Sequence, residues 1–257
     1  MPDSSVHEAL KFVDSIQLPE RFSEPERTET VPFDFDAARN QAAIVGSEIV
    51  SFVRGVTEER RRDVVNATLL AQLAADKRVG DPTDLFAWYD AYFDVLTNTG
   101  WVVQTKQFVD HAEHSQDLHA HEAILRVATS LLGPGTAALQ VIQTTLDALA
   151  KMDRDSPWIT LFDRESQRAS SARFQVTLAE QGADDQFLVT LMAFALTAQA
   201  NLTQVLFFKF RSNEVKLRHS SGKLSVNETV LDAVRELIES KLGERSSAFV
   251  RSLPDLD

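Results

Sequence analysis

The chain has 257 residues and a formal net charge of −12 at pH 7, with 38 acidic side chains against 26 basic ones. This excess of negative charge argues against broad nucleic-acid binding, and a sequence without cysteine excludes disulfides, thiolate metal sites and thiol nucleophiles. The length is at the upper end for a single domain, so we expect one domain, over residues 36–257. Residues 1–35 are expected to form an extended arm.

The amino-terminal arm is rich in charge and proline. Its beginning, MPDSSVHEALKFVDS, lacks the basic region and the apolar core of a standard secretory signal peptide. Together with the absence of cysteine, this favours a cytoplasmic location, while export by another route stays open. We predict one or two helical turns in the arm, with Phe33 and Phe35 packed on the body of the protein.

Helical patterns follow the arm. Apolar residues recur at three- and four-residue steps between Asp36 and Val53, which predicts a first helix. Thr57, followed by two glutamates, predicts the cap of a second helix. A third helix, rich in aromatic residues, begins near Asp84 and ends before Gly100.

The second half of the chain is richer in strand signals. A short strand is predicted at Trp101–Val103, followed by helices near 117–132 and 136–151 that Gly133-Pro134-Gly135 separates. The later strand candidates are Trp158–Phe162, Arg173–Leu178, Phe187–Thr197, Leu202–Arg211, Glu214–His219 and Lys223–Val226.

The order of these elements is typical of an α+β fold. Helices come first, then a run of strands, then a last helix that Asn227 caps and Gly243 closes. We therefore predict N-terminal helices, an antiparallel sheet of about five to six strands and a closing C-terminal helix.

Certain landmarks of the chain resemble those of a loosely defined group of bacterial and fungal proteins of about this length. They are Gln72-Leu73-Ala74-Ala75 followed by Lys77, Trp88-Tyr89, Gly100-Trp101-Val102-Val103 and Leu242-Gly243. The resemblance implies a single unit over most of the chain. No activity is established for that group, so the resemblance implies no catalytic residues.

The 23 residues from Gln186 to Phe208 carry no charge, in a chain that is 25% charged. Polar residues in the centre and second half argue against a transmembrane span, and two strands joined by a turn at Gln199-Ala200-Asn201 fit better. With further turns at Ser212-Asn213 and Ser221-Gly222, one face of this meander is apolar. The other face carries the cations Lys209, Arg211, Lys216, Arg218 and Lys223.

This basic face has two interpretations. Five aligned cations in an acidic protein suit a phosphate group, an anionic lipid headgroup or an acidic partner, but lysines on exposed strands also discourage edge pairing. A turn at Ala200-Asn201 would pair Phe194 with Phe207 and Leu196 with Val205 on the same face. That apolar patch then needs a cover, from the amino-terminal helices, another subunit or a lipid.

Four of the six histidines lie in the segment DHAEHSQDLHAHE. Imidazole and carboxylate groups suit zinc, nickel or ferrous iron, although the spacing matches no named metal motif. The alternative is a solvated connection whose acidic residues favour the start of the helix near Asp117. The histidines of this candidate divalent-metal site are His111, His114, His119 and His121.

The sequence contains no G-x-S-x-G elbow, P-loop or G-x-G-x-x-G fingerprint. Our leading interpretation is a soluble, non-catalytic binding protein without a cofactor, which engages a protein partner, an anionic lipid or a second copy of itself. One alternative is a metal-dependent enzyme that uses the histidines from His111 to His121. The other is a membrane-active protein that deploys the uncharged hairpin 186–208.

Overall fold

The computed structural model describes residues 4–20, 34–110, 117–182, 186–199, 202, 204–206, 209–211, 215–254 and 256. Within these residues the chain forms eight helices and eleven strands. The helices are α1 (Ser4–Ser15), α2 (Glu58–Arg78), α3 (Leu85–Asn98), α4 (Ala120–Leu132), α5 (Ala137–Ala150), α6 (Pro157–Ser166), α7 (Glu228–Leu242) and α8 (Arg245–Phe249). The strands are β1 (Gln41–Val45), β2 (Glu48–Phe52), β3 (Trp101–Val103), β4 (Val109–Asp110), β5 (Asp117–His119), β6 (Gln167–Arg168), β7 (Ser171–Gln181), β8 (Phe187–Ala198), β9 (Lys209–Arg211), β10 (Val215–Val226) and β11 (Val250–Ser252).

Nine of the strands form one sheet. Their order is β11-β1-β2-β7-β8-β10-β3, with β4 also paired to β10 and β6 to β7, while β5 and β9 form a separate pair. The pairing is antiparallel except between β2 and β7, which are parallel. The α+β class is therefore confirmed, but the sheet is mixed and larger than the predicted five to six antiparallel strands.

The sheet is covered on both faces. α1, α2, α3 and α7 pack on one face and form the first core, and α4, α5 and α6 pack on the other and form the second core. In β8, Leu191 and Ala193 face the first core, whereas Met192 and Phe194 face the second. A strand that is buried on both faces has no exposed position for a charge, which explains the uncharged sequence of β8.

The predicted first helix between residues 36 and 53 is wrong, because this segment forms the β1–β2 hairpin. Gly46 makes the turn with a φ of +57°, a conformation that glycine adopts without strain. Ile44 faces the second core and Val45 the first. Since both faces of the hairpin are apolar, the two-residue alternation of a strand is hidden in the sequence.

The predicted strand at Trp158–Phe162 is also wrong, because these residues lie in α6. The hydroxyl of Ser156 accepts a hydrogen bond from the Ile159 amide, and Pro157 occupies the first turn of the helix. Both features belong to a helix start. The apolar residues that suggested a strand face the second core.

The predicted turn at Ser221-Gly222 does not exist, because β10 is a single strand paired along its length with β8. Leu217 lies opposite Leu196, and Gly222 lies opposite Leu191. Strand β9 pairs with β5 and not with β10, so the predicted hairpin face is divided between two sheets. The proposed turn at residues 212–213 lies outside the described residues.

Only the last part of the predicted strand Leu202–Arg211 is a strand in the described residues, namely β9. Leu202, Val205 and Leu206 are buried in the second core without strand pairing. The physical reason is that β7 and β10 already occupy both edges of β8, so no edge remains for this segment.

The local signals of helix ends are confirmed. Thr57, Asp84 and Asn227 each accept a hydrogen bond from an amide in the first turn of α2, α3 and α7. Thr136, for which no cap was predicted, does the same at the start of α5. The break between α4 and α5 and the strand β3 also lie where predicted. The chain does not end at α7, because α8 follows and β11 pairs with β1.

The amino-terminal segment contains a longer helix than the one or two turns predicted. Val6, Ala9 and Val13 of α1 are buried in the first core, and Lys241 of α7 donates hydrogen bonds to the α1 end. Phe35 packs edge-on against the Phe52 ring, as predicted for the body contact, and Phe33 lies outside the described residues.

Candidate functional site

One end of the sheet presents exposed apolar side chains. β3 and β4 both pair with β10, at Val226–Leu224 and at His219–Arg218, and no other described strand pairs with either of them. We call β3, β4 and the residues 104–108 between them the β3–β4 edge. An edge strand offers backbone donors and acceptors to a further strand.

Both faces of the β3–β4 edge combine apolar and basic groups. Val102 lies opposite Ser225 and Val109 opposite His219, so both share the face of Lys223, because alternate residues of a strand point to opposite faces. Val102 is 49% exposed and Val109 51%. On the other face lies Phe86 of α3, which is 40% exposed.

On the face of Phe86, Asp110 links two cations of β10. Arg218 Nε donates to Asp110 Oδ1 at 2.7 Å, and Lys216 Nζ lies 3.7 Å from the same oxygen. The Arg218 hydrogen bond holds the pKa of Asp110 below its usual value. The Arg218 guanidinium carbon lies 5.4 Å from the centroid of the Phe86 ring, and Phe86 contacts Phe108 edge-on at 5.3 Å. Arg218 therefore joins the apolar and charged parts of this surface.

The structure brings together only part of the predicted basic face. Lys216 and Arg218 lie on one face of β10, but Lys223 lies on the opposite face because β10 continues without a turn. Lys209 and Arg211 belong to β9, which pairs with β5 outside the main sheet.

The predicted apolar patch is part of the second core. Phe194, Leu196 and Val205 each have an exposed fraction of 0%. Phe194 lies opposite His219 and Phe174, and its ring stacks on Phe174 at 4.9 Å. Helices α4, α5 and α6 provide the cover. Phe207 lies outside the described residues.

The predicted histidine site is described only in part. His111 and His114 lie outside the described residues. The His119 and His121 rings, at the junction of β5 and α4, lie 5.3 Å apart between centroids. In the described part of the chain, no group of three or more His, Cys, Asp or Glu side chains is placed to hold a metal ion.

Sequence reasoning missed a buried row of polar residues beneath α2 and α3. Arg173, Gln175 and Thr177 of β7 face the first core, whereas the alternate residues Phe174 and Val176 face the second. The three polar residues are at most 1% exposed. Buried polar groups are costly unless they are hydrogen-bonded, so their partners define the site.

Glu48 of β2 is the centre of this row. Its carboxyl group accepts hydrogen bonds from the Tyr92 hydroxyl at 3.1 Å, from the Gln72 amide at 3.2 Å and from the Thr177 hydroxyl. The side chain has an exposed fraction of 0%. Burial raises the pKa of Glu48 to about 7, and the three hydrogen bonds only partly oppose that shift.

Two glutamines extend the row. Gln72 accepts a hydrogen bond from the Ser47 amide at 2.9 Å and donates to the Val45 carbonyl at 2.9 Å. The Ser47 hydroxyl lies 3.1 Å from Gln175 Oε1, and Gln175 donates to the Tyr89 hydroxyl at 3.1 Å. The hydrogen bonds therefore run without a break from α2 through the β1–β2 turn to α3.

Arg173 closes the row at the end of α2. Its guanidinium pairs with Asp76, and its central carbon lies 4.3 Å from the centroid of the Trp88 ring. Trp88 Nε1 donates to the same Asp76 oxygen at 2.7 Å. Burial lowers the pKa of Arg173 to about 10, against the opposing effect of Asp76.

Two small pockets lie between α3 and the sheet. One is lined by Gln104 and Thr105 of the β3–β4 edge, and the other by Tyr92 and Thr177. The two pockets share Leu191 and Leu224, and each has room of about 10 Å³. That is space for about one water molecule.

The sequence holds a faint signal for the polar row. β7 reads Ala-Arg-Phe-Gln-Val-Thr-Leu, in which apolar and polar residues alternate strictly. That pattern is ordinarily a strand with one face in solvent, so it does not by itself indicate a polar row inside the protein. The helices that cover it are apparent only from the fold.

No protein-family model matches the chain, and no curated protein matches it. Three solved structures are similar to most of it. A delta-endotoxin shares 13% identity at a TM-score of 0.40, with 84% of this chain and 95% of that chain covered. The Evf virulence factor shares 7% identity at a TM-score of 0.38, with 80% and 84% covered. Activated Cyt2Ba from Bacillus thuringiensis subsp. israelensis shares 14% at 0.40, with 71% and 98% covered.

Likenesses this distant assign no function to the chain. The resemblance to a group of bacterial and fungal proteins is not confirmed by these comparisons. Among the described helices, none is both long enough and apolar enough to cross a membrane.

Proposed function

We propose that the chain is a non-catalytic binding protein, and that the β3–β4 edge binds an extended, acidic segment of a partner protein. One observation carries the proposal. Among the described residues, the large apolar side chains that are exposed are Phe86, Val102 and Val109, and all three belong to this edge or border it. Exposed apolar groups rimmed by charged ones are typical of protein-interaction surfaces.

The placement of the apolar side chains favours an added strand. Successive side chains of a strand point to opposite faces, so a strand on this edge reaches Val102 and Val109 on one face and Phe86 on the other. Backbone hydrogen bonds then supply affinity, and alternate side chains supply specificity. A membrane surface is flat and reaches one face of the edge only.

The charge of the edge favours an acidic partner. Residues 101–110 and 215–226 contain four cations, Lys106, Lys216, Arg218 and Lys223, and one carboxylate, Asp110. The whole chain has a net charge of −12, so this edge is basic against an acidic background. Such a surface attracts negatively charged segments. The acidic remainder of the protein repels the same segments, so they are directed to this edge.

A fluorescent peptide tests the proposal. The probe is an eight-residue peptide of alternating valine and glutamate, and its binding is followed by fluorescence anisotropy. We expect it to bind, and we expect the matching valine–lysine peptide not to bind, because the edge is basic. A valine–glutamate peptide methylated at every backbone nitrogen should bind at least about tenfold more weakly, because it has no backbone donor for the hydrogen bonds of an added strand.

Variants localise the binding. The double variant Lys216→Glu, Arg218→Glu should weaken peptide binding about tenfold or more. The matched control is Arg154→Glu, an exposed cation in the turn between α5 and α6, outside the edge. Equal binding of the methylated and unmethylated peptides would sink the strand-addition proposal.

Two further results would also overturn it. Sedimentation that shows a dimer lost in Val109→Asp would identify the occupant as a second copy of this chain. Binding to anionic phospholipid vesicles without peptide binding would identify it as a membrane.

A further inference from the structure

The contact between α2, α3 and the sheet is polar at its centre, in contrast to the second core. Glu48 of β2 receives hydrogen bonds from Gln72 of α2, from Tyr92 of α3 and from Thr177 of β7. One carboxyl group therefore ties both helices to two parallel strands. A change of its charge acts on all four elements together.

We propose that Glu48 and the polar row around it form a pH-operated latch, which holds the α2–α3 layer on the sheet in acid and loosens it when the carboxyl group ionises. The inference is independent of peptide binding at the β3–β4 edge. The latch needs a titrating group and a lack of compensating charge around it.

Among the described residues, the contacts of Glu48 include no cation. Its neighbours are the amide of Gln72 and the hydroxyls of Tyr92 and Thr177, all of them neutral donors. Hydrogen bonds to a carboxylate are stronger than those to a neutral group, but they do not replace the lost hydration here. The first cause of the raised pKa of Glu48 is burial, and it exceeds all three hydrogen bonds.

The two tyrosines near Glu48 do not change charge near neutral pH. On α3, burial raises the pKa of Tyr89 and of Tyr92 further above their usual value, so both stay neutral. On β7 and α2, Arg173 and Asp76 form an ion pair with each other. β1, which also pairs with β2, contains no ionisable side chain.

The direction of the effect follows from linkage. The pKa of Glu48 rises from its usual 4.5 to about 7 on burial. A raised pKa means that the closed layer is favoured in full below 4.5 and that this advantage is lost as pH rises through about 7. The complete change corresponds to about 300-fold in the closing equilibrium.

Small pockets lie beside two of the donors to Glu48. One is lined by Tyr92 and Thr177 and shares Leu191 and Leu224 with a second pocket, which Thr105 of the β3–β4 edge lines. Opening of the α2–α3 layer, the motion that the latch controls, exposes Glu48 to water and lets its carboxyl group exchange protons.

Hydrogen exchange read by mass spectrometry tests the latch. Protection of the α2 and α3 amides is measured at pH 5.5 and pH 8.5, corrected for the intrinsic exchange rate, with α5 in the second core as the internal reference. We expect protection of α2 and α3 to fall by up to about 30-fold between these pH values and to lie below that of α5 at pH 8.5, because the layer opens without global unfolding. Glu48→Gln should remove this difference, because its side chain does not ionise.

The matched control is Glu236→Gln, an exposed carboxylate on α7 that should leave the difference in place. Tyr92→Phe keeps the ring and removes one donor to the carboxylate, so the pH midpoint of the loss of protection should move to higher pH. This variant tests the latch even if Glu48→Gln does not fold. Equal protection at both pH values in the parent would overturn the latch. Equal protection of α2, α3 and α5 at pH 8.5 would also overturn it, because that result indicates that the layer opens only by global unfolding.

Discussion

Arg173 of β7 forms an ion pair with Asp76 of α2, and the two partners are unequally buried: the Arg173 side chain is 2% exposed and that of Asp76 is 27% exposed. Asp76 therefore keeps contact with water, whereas Arg173 does not. Two nitrogens of Arg173, Nε and Nη1, have no hydrogen-bond partner among the described residues. The free-energy cost of burying the Arg173 charge is thus only partly offset by its hydrogen bonds.

This asymmetry predicts opposite results for the two halves of the pair. Asp76→Asn keeps the acceptor for Trp88 but leaves the Arg173 charge buried without an anion, so we expect a loss of about 3 kcal/mol. Arg173→Met removes the buried charge and places a thioether near the Trp88 ring, so we expect a change of about 1 kcal/mol or less. Urea unfolding of both variants measures the difference, and a greater loss for Arg173→Met would contradict it.

Gly46 is constrained by the polar row as well as by its own backbone. It has a φ of +57°, and a Cβ atom there would lie 2.4 Å from Gln72 Oε1. That oxygen accepts a hydrogen bond from the Ser47 amide, so it cannot move without loss of that bond. We expect Gly46→Ala to destabilise the protein by about 3 kcal/mol, from the left-handed conformation and the broken hydrogen bond.

A second glycine provides the control for this substitution. Gly135 has a φ of +74°, and nothing lies within 4 Å of a Cβ atom built there. Gly135→Ala should therefore cost about 1 to 2 kcal/mol from backbone strain alone. Thermal or urea unfolding of the two variants side by side separates strain from displacement of Gln72. Equal losses would show that the contact with Gln72 contributes nothing.

Ionisation of Glu48 should lower the free energy of unfolding as pH rises. Its folded pKa of about 7 lies above the usual 4.5, so its contribution to stability is lost as pH rises from about 4.5 through 7. We expect the stability of the parent relative to Glu48→Gln to fall by about 3 kcal/mol between pH 4.5 and pH 8.5. Urea unfolding across this pH range measures the difference. A constant difference would show that Glu48 titrates normally.

Sequence reasoning succeeded where the signal is local. The caps Thr57, Asp84 and Asn227 are set by a side chain and an amide three residues away, and such patterns are visible in any window of the sequence. The strand β8 was also found, because its uncharged, β-branched and aromatic composition reflects burial on both faces.

Sequence reasoning failed where distant segments decide the structure. The Ser221-Gly222 pair has the composition of a turn, but Gly222 lies inside β10, where Thr105 of the neighbouring segment approaches a Cβ position to 3.5 Å. The small residue there accommodates a neighbour and does not reverse the chain. Glu48 and Thr177 are 129 residues apart and meet through the parallel pairing of β2 with β7. No local pattern contains that contact.

Asp110 competes with the proposed partner for the cations of the β3–β4 edge. Its carboxylate accepts a hydrogen bond from Arg218 and lies near Lys216, and the Arg218 bond lowers the pKa of Asp110, so the group stays charged at neutral pH. Asp110→Asn removes that internal anion. The valine–glutamate peptide should then bind several-fold more tightly.

The same variant separates binding from folding. Asp110 is exposed, and surface ion pairs contribute little to stability, so the urea midpoint of Asp110→Asn should match that of the parent. Added salt should reduce the gain in peptide affinity, because exposed charges are screened. If Asp110→Asn bound the acidic peptide no better than the parent at low salt, Arg218 and Lys216 would not be the groups that attract it.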